Sequence, residues 1–157
     1  MTLRDRLEKA LVSGHENDLD HLLYNERDHI DDLVALRDAA VLIAITDRSD
    51  PGVIFVQRPQ HMRNHPGQVA FPGGKIDPGD RDPIDAALRE AHEEVALERT
   101  QVDIIGLTDS FQSGSGYNIQ PVVGVIPPDL PFIPDPSEVE SWFEAPLEFL
   151  LDPKNRA

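Results

Sequence analysis

Two apolar runs separated by a polar turn stand out in the first half of the chain. Residues 39–46 are continuously apolar and partly β-branched, which is typical of a buried strand. Residues 47–52 are rich in turn-forming side chains, and residues 53–57 form a second apolar run. We expect the two runs to form a β-hairpin, with residues 68–76 as a third strand interrupted by Pro72-Gly73-Gly74.

Two other segments have apolar residues at helical spacing. Residues 1–13 predict an amphipathic helix that ends at Gly14. Residues 83–96 predict a second helix, because Asp82 is a good N-cap and Pro83 suits the first helical position. The apolar positions of the second helix share an arc of roughly 100°, as a core-facing stripe does. They are Ile84, Ala87, Leu88, Ala91 and Val95.

The rest of the chain predicts further strands and connections. Residues 102–107 and 119–126 have strand character, and Pro127-Pro128 ends the second of these runs. Residues 138–151 favour a helical or mixed segment with a break at Pro146, and residues 15–37 a surface connection. Strands on both sides of a central helix indicate a mixed α/β or α+β layered domain.

Composition limits the function classes. A length of 157 residues suits a single domain, and no apolar run approaches the roughly 18 residues that a membrane span needs. The absence of cysteine excludes disulfides and thiolate metal sites, and with a charged start it favours a cytoplasmic protein. A net charge of −15 disfavours nucleic acid as a partner, although cations grouped in one cleft can still bind a small anion.

The second helix carries three glutamates on one face. Glu90, Glu93 and Glu94 are stacked at helical spacings of three and four residues, so their charges repel unless a cation lies among them. Carboxylate oxygens are what Mg²⁺ or Mn²⁺ prefers. A solvated acidic face, with Arg89 paired locally, is the alternative interpretation of the triplet alone.

The segment preceding this helix makes the metal interpretation more specific. Phe71-Pro72-Gly73-Gly74 lies ahead of the helix, where paired glycines let backbone approach a ligand closely. Followed by Asp77, Asp80 and Arg89-Glu90-x-x-Glu93-Glu94, the arrangement resembles the Nudix box, G-x5-E-x7-R-E-U-x-E-E-x-G-U with U aliphatic. Two positions depart from that pattern: Asp80 replaces the first Glu and lies one residue further from Arg89, and Ala96 stands where Gly is expected.

An upstream signature is similar to that of the coenzyme A diphosphatase branch of the Nudix hydrolases. Arg58, Arg63, Gly67 and the segment 71–74 match the spacing R-[SA]-x3-R-x3-G-x3-F-P-G-G, with Pro59 in place of the small residue. The resemblance covers roughly residues 39–151. It implies a Nudix α/β/α sandwich with a mixed sheet, made of a 1–37 helical extension and a core of about 38–151 within one domain, 1–157.

The same resemblance implies a metal-dependent hydrolysis of coenzyme A or its derivatives to 3',5'-ADP and 4'-phosphopantetheine. Glu90 and Glu94 would be the primary ligands of Mg²⁺ or Mn²⁺, with Glu93 accessory or the general base; which glutamate is the base stays open. Arg89 would orient these glutamates.

Substrate contacts are expected from several groups near this helix. Arg58 and Arg63 suit phosphate oxygens, with surface salt bridges as the alternative. Gly73 and Gly74 would contact substrate through backbone, and Tyr117 would stack on a base unless its loop is a plain connection. Gln57 and His65 are weaker candidates, and Glu138 or Glu140 could add a further acidic group near the metal.

The sequence leaves open the substrate, the assembly and the extent of the C-terminus. Nudix hydrolases of ADP-ribose, a dinucleotide or a nucleoside triphosphate share the chemistry, and a non-catalytic nucleotide-binding regulator could share the fold. A homodimer is also possible as the assembly. Members of the branch usually continue beyond a terminus such as Leu151 to Ala157 with another strand and helix, so a truncated or short form is an expectation too.

Overall fold

The computed structural model describes residues 1–16, 36–63 and 65–155. Three α-helices and eight β-strands follow one another in these residues. They are α1 (Leu3–Glu16), β1 (Arg37–Thr46), β2 (Gly52–Gln57), β3 (Val69–Ala70), β4 (Gly73–Lys75), α2 (Pro83–Val95), β5 (Asp103–Leu107), β6 (Phe111–Gln112), β7 (Tyr117–Ile126), β8 (Ser141–Pro146) and α3 (Leu147–Leu151).

All eight strands belong to one mixed sheet. The strands β3-β2-β1-β7-β5 lie side by side in that order, while β4 adds to β1, β6 to β7 and β8 to β2. The central pair, β1 and β7, is parallel over ten residue pairs from Arg37–Tyr117 to Thr46–Ile126, and the other pairings are antiparallel. Long apolar stretches in β1 and β7 suit this central place, because both faces of such strands are covered.

Helices cover both faces of the sheet, which confirms the predicted mixed α/β architecture. Alternate residues of β1, such as Leu42, pack with Ala87, Ala91 and Val95 of α2. On the opposite face, Ile45, Val53 and Val123 pack against Leu3, Leu7 and Leu11 of α1, among other side chains. Arg4 is also paired with Asp103, which joins α1 to the start of β5.

The helix α2 begins and ends where the sequence predicts. Asp82 is its N-cap, and the carboxylate accepts a hydrogen bond of 2.7 Å from the backbone N–H of Asp85. At the other end Ala96 is left-handed, with φ 60° and ψ 31°, and its N–H donates to the carbonyl of His92. Leu97 N–H also donates to the carbonyl of Ala91. The bond from Ala96 to the carbonyl four residues earlier is that of an αL motif, with alanine in the place that usually holds glycine.

One helix end was predicted wrongly, and one mixed segment has a strand where a helix was also considered. The helix α1 continues through Gly14 to Glu16, because a single glycine weakens a helix by only about 1 kcal/mol and does not by itself end it. Residues 138–151, predicted as helical or mixed with a break at Pro146, are mixed: helix α3 starts after Pro146, and residues 141–146 form strand β8. This strand lies on the edge of β2, where Phe143 is opposite Phe55. The two rings stack with centroids 5.5 Å apart, and such cross-strand pairing overrides a weak helical pattern.

The segment predicted as one broken third strand is two strands with different partners. Strand β3 pairs with β2, whereas β4 crosses to β1, where Val41 lies opposite Gly73. The predicted surface connection over residues 15–37 falls largely on residues 17–35, outside the described part, and Arg37 belongs to β1. Among the helices of the described ranges, none is long and apolar enough to cross a bilayer.

Candidate metal and nucleotide site

Glu94 is a buried carboxylate at the end of α2. It is only 6% exposed, so it is not part of the solvated acidic face that was the alternative interpretation of the three glutamates. One carboxylate oxygen accepts a hydrogen bond of 3.0 Å from the backbone N–H of Gly73. Burial raises the pKa of Glu94 to about 8, and the nearby charges of Glu90 and Glu138 act in the same direction. A nearby cation would favour the ionised form of a carboxyl buried in this way.

Glu90 lies one turn earlier on the same face of α2 and close to Gly74. A Cβ atom at position 74 would come within 2.8 Å of the Glu90 carboxylate, so any larger residue there would displace the end of this side chain. Burial raises the pKa of Glu90 as well, against the opposing effect of Arg89. The paired glycines that the sequence singled out therefore contact the two glutamates predicted as primary metal ligands.

Arg89 is held in place by carboxylates. Its Nε and Nη2 donate to the two oxygens of Asp80, at 2.9 and 3.0 Å, which is a bidentate pair with a side chain only 4% exposed. Nη1 donates to Glu90 at 3.1 Å and to Glu93 at 3.3 Å. The guanidinium lowers the pKa of Asp80. It also links Asp80, which precedes the helix, to Glu90 and Glu93 on the helix. Its geometry is that of a positioning residue.

The other acidic candidates differ in how deeply they lie around Glu90 and Glu94. The side chain of Glu93 is 48% exposed and directed to Arg89. Glu138 is exposed, yet its charge contributes to raising the pKa of both Glu90 and Glu94, so it lies on their side of the fold. The loop that carries Glu138 is tied to α2, because the N–H of Asp135 donates to the carbonyl of Glu94 at 2.9 Å. No comparable effect links Glu140 to these two carboxylates in the described part of the chain.

A cleft of about 680 Å³ lies beside the glutamates and opens at the start of β1 and β7. Arg58, Gly73, Gly74 and Tyr117, all predicted to bind substrate, contribute to its lining. The lining includes none of Glu90, Glu93 and Glu94, which lie on the other side of β4. Arg58 belongs to both places, since its charge also acts on Glu94.

Other predicted contacts are placed less centrally. Arg63 is exposed and lies outside the lining of the cleft. His65 lines it, whereas the amide of Gln57 donates to the Gly67 carbonyl at 3.3 Å and satisfies a loop. Arg37 and Lys75 also line the cleft, and sequence reasoning missed both. Position 37 lies within the predicted surface connection, so the sequence did not indicate that Arg37 belongs to a strand or on which face of the sheet it lies.

The fold and this helix define a family. Residues 36–157 match the model of the NUDIX domain, and the chain belongs to that family. It is 51% identical over 120 residues to a relative from Enterobacter sp. (strain 638) named as an uncharacterized Nudix hydrolase, NudL; the match covers 76% of this chain and 62% of the relative. The chain thus spans about three-fifths of the length of the curated relatives it matches.

Solved structures support the fold. A Nudix hydrolase from M. Smegmatis, RenU, superposes with a TM-score of 0.62 at 20% identity, covering 74% of each chain. A C. elegans Ap4A hydrolase in a binary complex superposes with a TM-score of 0.60 at 20% identity, over 70% of this chain and 80% of the other. These likenesses confirm the predicted Nudix-type fold.

Proposed function

We propose that this protein hydrolyses the diphosphate bond of nucleoside diphosphate derivatives with the help of Mg²⁺ or Mn²⁺, and that coenzyme A or a derivative is its substrate. The products would be 3',5'-ADP and 4'-phosphopantetheine. The observation that carries the proposal is the buried Glu94 carboxylate, held by the Gly73 N–H one helical turn from Glu90. Family membership and the Nudix hydrolase relatives agree with this chemistry.

The donor set suits a hard dication. Within the described ranges no three acidic or imidazole side chains are gathered into a ready-made metal cluster. Mg²⁺ does not need one, because it retains several waters and is usually held by one or two carboxylates together with substrate phosphates. Glu90 and Glu94 would supply those carboxylates, and Glu93 would be either an accessory ligand or the general base. A bound dication would neutralise charge on the phosphates and acidify a water molecule.

The protein's own residues would orient and deprotonate. Arg89 holds Asp80, Glu90 and Glu93 in one network, so it would fix the glutamates rather than touch substrate. Glu93 is the most exposed of the three helix glutamates and would accept the water proton, with Glu138 as the second candidate for that step. Glu138 is preferred over Glu140 because its charge acts on both predicted metal ligands.

The choice of coenzyme A rests on the upstream signature. Arg58, Arg63, Gly67 and the segment 71–74 match the spacing of the coenzyme A diphosphatase branch. Gly67 has a φ of +67°, and a Cβ there would lie 2.4 Å from the Gln60 side chain, so the turn between the two arginines and the glycine pair requires glycine. Arg58 would bind a phosphate oxygen between the cleft and Glu94.

A substrate panel tests the proposal. Coenzyme A, ADP-ribose, a dinucleoside polyphosphate and a nucleoside triphosphate would each be incubated with the full chain and Mg²⁺ or Mn²⁺, and products separated by chromatography. We expect the highest kcat/KM with coenzyme A, and turnover to be lost in Glu90→Gln but kept in Glu148→Gln, an exposed glutamate on α3. A higher kcat/KM with another diphosphate overturns the choice of coenzyme A. Absence of turnover with every compound overturns the proposed hydrolase activity.

A further inference from the structure

The cleft beside β4 has an unusual charge for this protein. The chain contains 29 acidic and 14 basic residues. Of the described residues that line the cleft, Arg37, Arg58 and Lys75 are cationic and none is acidic. Low-dielectric walls concentrate such a local field, so the cleft attracts anions even though the molecule as a whole repels them. The charge of Arg58 acts on Glu94, which leaves Arg37 and Lys75 for an anion further out.

The strand register brings Arg37 and Lys75 to one face of the sheet. Ala39 of β1 lies opposite Lys75 of β4, and opposite residues of an antiparallel pair project to the same side. Arg37 is two residues before Ala39, so it also projects to that side. Diagonal neighbours of this kind are about 7–8 Å apart at Cα, which allows two long cationic side chains to converge on one tetrahedral anion. Both residues are exposed.

The surface next to these cations suits a nucleobase. Tyr117 lies opposite Arg37 in the parallel register of β1 and β7, and Ile119 lies opposite Ala39. Both side chains line the cleft, together with Phe71. Aromatic faces stack on bases, and the neighbouring apolar wall excludes water from one side of the ring. An aromatic side chain beside two cations would suit a base next to an anion, which is the arrangement of a phosphorylated nucleoside.

Strand β4 lies between this part of the cleft and the glutamates of α2. Gly73 and Gly74 line the cleft on one side and contact Glu94 and Glu90 on the other. We infer that Arg37 and Lys75 bind a phosphate monoester on the ribose of the substrate, a third phosphate beyond the two of the diphosphate, while Tyr117 contacts the base. The inference rests on the proposed function, and it makes Arg37 and Lys75 specificity-determining residues.

Equilibrium binding tests the inference without turnover. The affinity of the full chain for 3',5'-ADP and for 5'-AMP would be measured by isothermal titration calorimetry without divalent metal. We expect 3',5'-ADP to bind more tightly, and the preference to fall by about tenfold in Arg37→Ala and in Lys75→Ala, because each variant removes a charge-assisted contact. Arg6→Ala and Lys9→Ala, which remove exposed cations of α1, should keep the preference. Equal affinity for both nucleotides, or a preference unchanged in both cleft variants, overturns the inference.

Two further arms separate this inference from the proposed function. Titration with 2',5'-ADP shows whether the ribose phosphate must be at the 3' position; tighter binding of 2',5'-ADP than of 3',5'-ADP would contradict a coenzyme A-type ligand. The ratio of kcat/KM for coenzyme A and dephospho-coenzyme A should fall in the two cleft variants. If turnover persists and the ratio is unchanged, the inference fails and the proposed function stands. If no diphosphate is cleaved but 3',5'-ADP binding depends on Arg37, the proposed function fails and the phosphate site at Arg37 and Lys75 stands.

Discussion

The buried carboxylate of Glu94 should make the stability of the protein depend on pH. Its pKa is raised to about 8 from the usual 4.5, chiefly by burial. Below pH 4.5 the side chain is protonated in both the folded and the unfolded state and has no effect. As pH rises from 4.5 to about 8, the unfolded state loses a proton that the folded state retains, so stability falls. The replacement Glu94→Gln removes this dependence.

The size of the effect follows from the same two pKa values. At about 1.4 kcal/mol per pH unit, a window from 4.5 to about 8 corresponds to a loss on the order of 4–5 kcal/mol above pH 8 in the absence of metal. This is an upper bound, because relaxation around a charged Glu94 reduces it. Even half of it is a large fraction of the 5–15 kcal/mol by which domains are typically stable.

Urea unfolding between pH 5.5 and 9 in EDTA measures this dependence. We expect the free energy of unfolding of Glu94→Gln to rise relative to the unmodified protein as pH increases, and Glu148→Gln to show no such trend. Adding Mg²⁺ or Mn²⁺ at pH 8 should stabilise the unmodified protein and have little effect on Glu94→Gln, because a dication favours the ionised carboxylate. A constant difference between the two proteins across this pH range would show that the pKa of Glu94 is not raised in the folded protein.

Three other substitutions test separate contacts. Ala96→Gly should stabilise the protein by about 1 kcal/mol in urea unfolding, because glycine tolerates the left-handed end of α2, whereas Ala10→Gly in the exposed part of α1 should destabilise it by about as much. Gly74→Ala should weaken Mn²⁺ binding in calorimetry by pushing on the nearby carboxylate, while Gly79→Ala, with open space around it, should not. Arg89→Lys should lower kcat by about tenfold or more with KM little changed, because lysine cannot form the bidentate pair; an unchanged kcat would contradict its positioning role.

Several parts of the fold follow from local sequence features. The helix α2 was predicted within one residue, because Asp82 and Pro83 define its start and the apolar stripe its extent. The strand around residues 39–46 was predicted for a similar reason, since a continuous apolar run suits the centre of a sheet covered on both faces. Family membership was predicted from motif spacing and is confirmed by the match over residues 36–157.

Other features depend on long-range contacts that no local pattern encodes. Strand β8 exists because it completes the edge of β2, and its alternation is too short to outweigh a helical pattern on its own. The burial of Glu94 follows from β4 crossing to β1, which carries the Gly73 N–H over the end of α2. The positions of Arg37 and Lys75 in one cleft likewise follow from strand register, so composition alone could not group them.

The proposed role of the α2 glutamates is to hold a divalent metal that acts on a diphosphate. Its most direct test is the initial rate of 3',5'-ADP release from coenzyme A at saturating Mg²⁺, for the unmodified protein and for Glu94→Gln, with far-UV circular dichroism to show that both are folded. We predict a fall in kcat of at least about 100-fold, since metal-based charge stabilisation contributes several kcal/mol. Equal rates for two folded proteins would contradict a metal-binding role of Glu94.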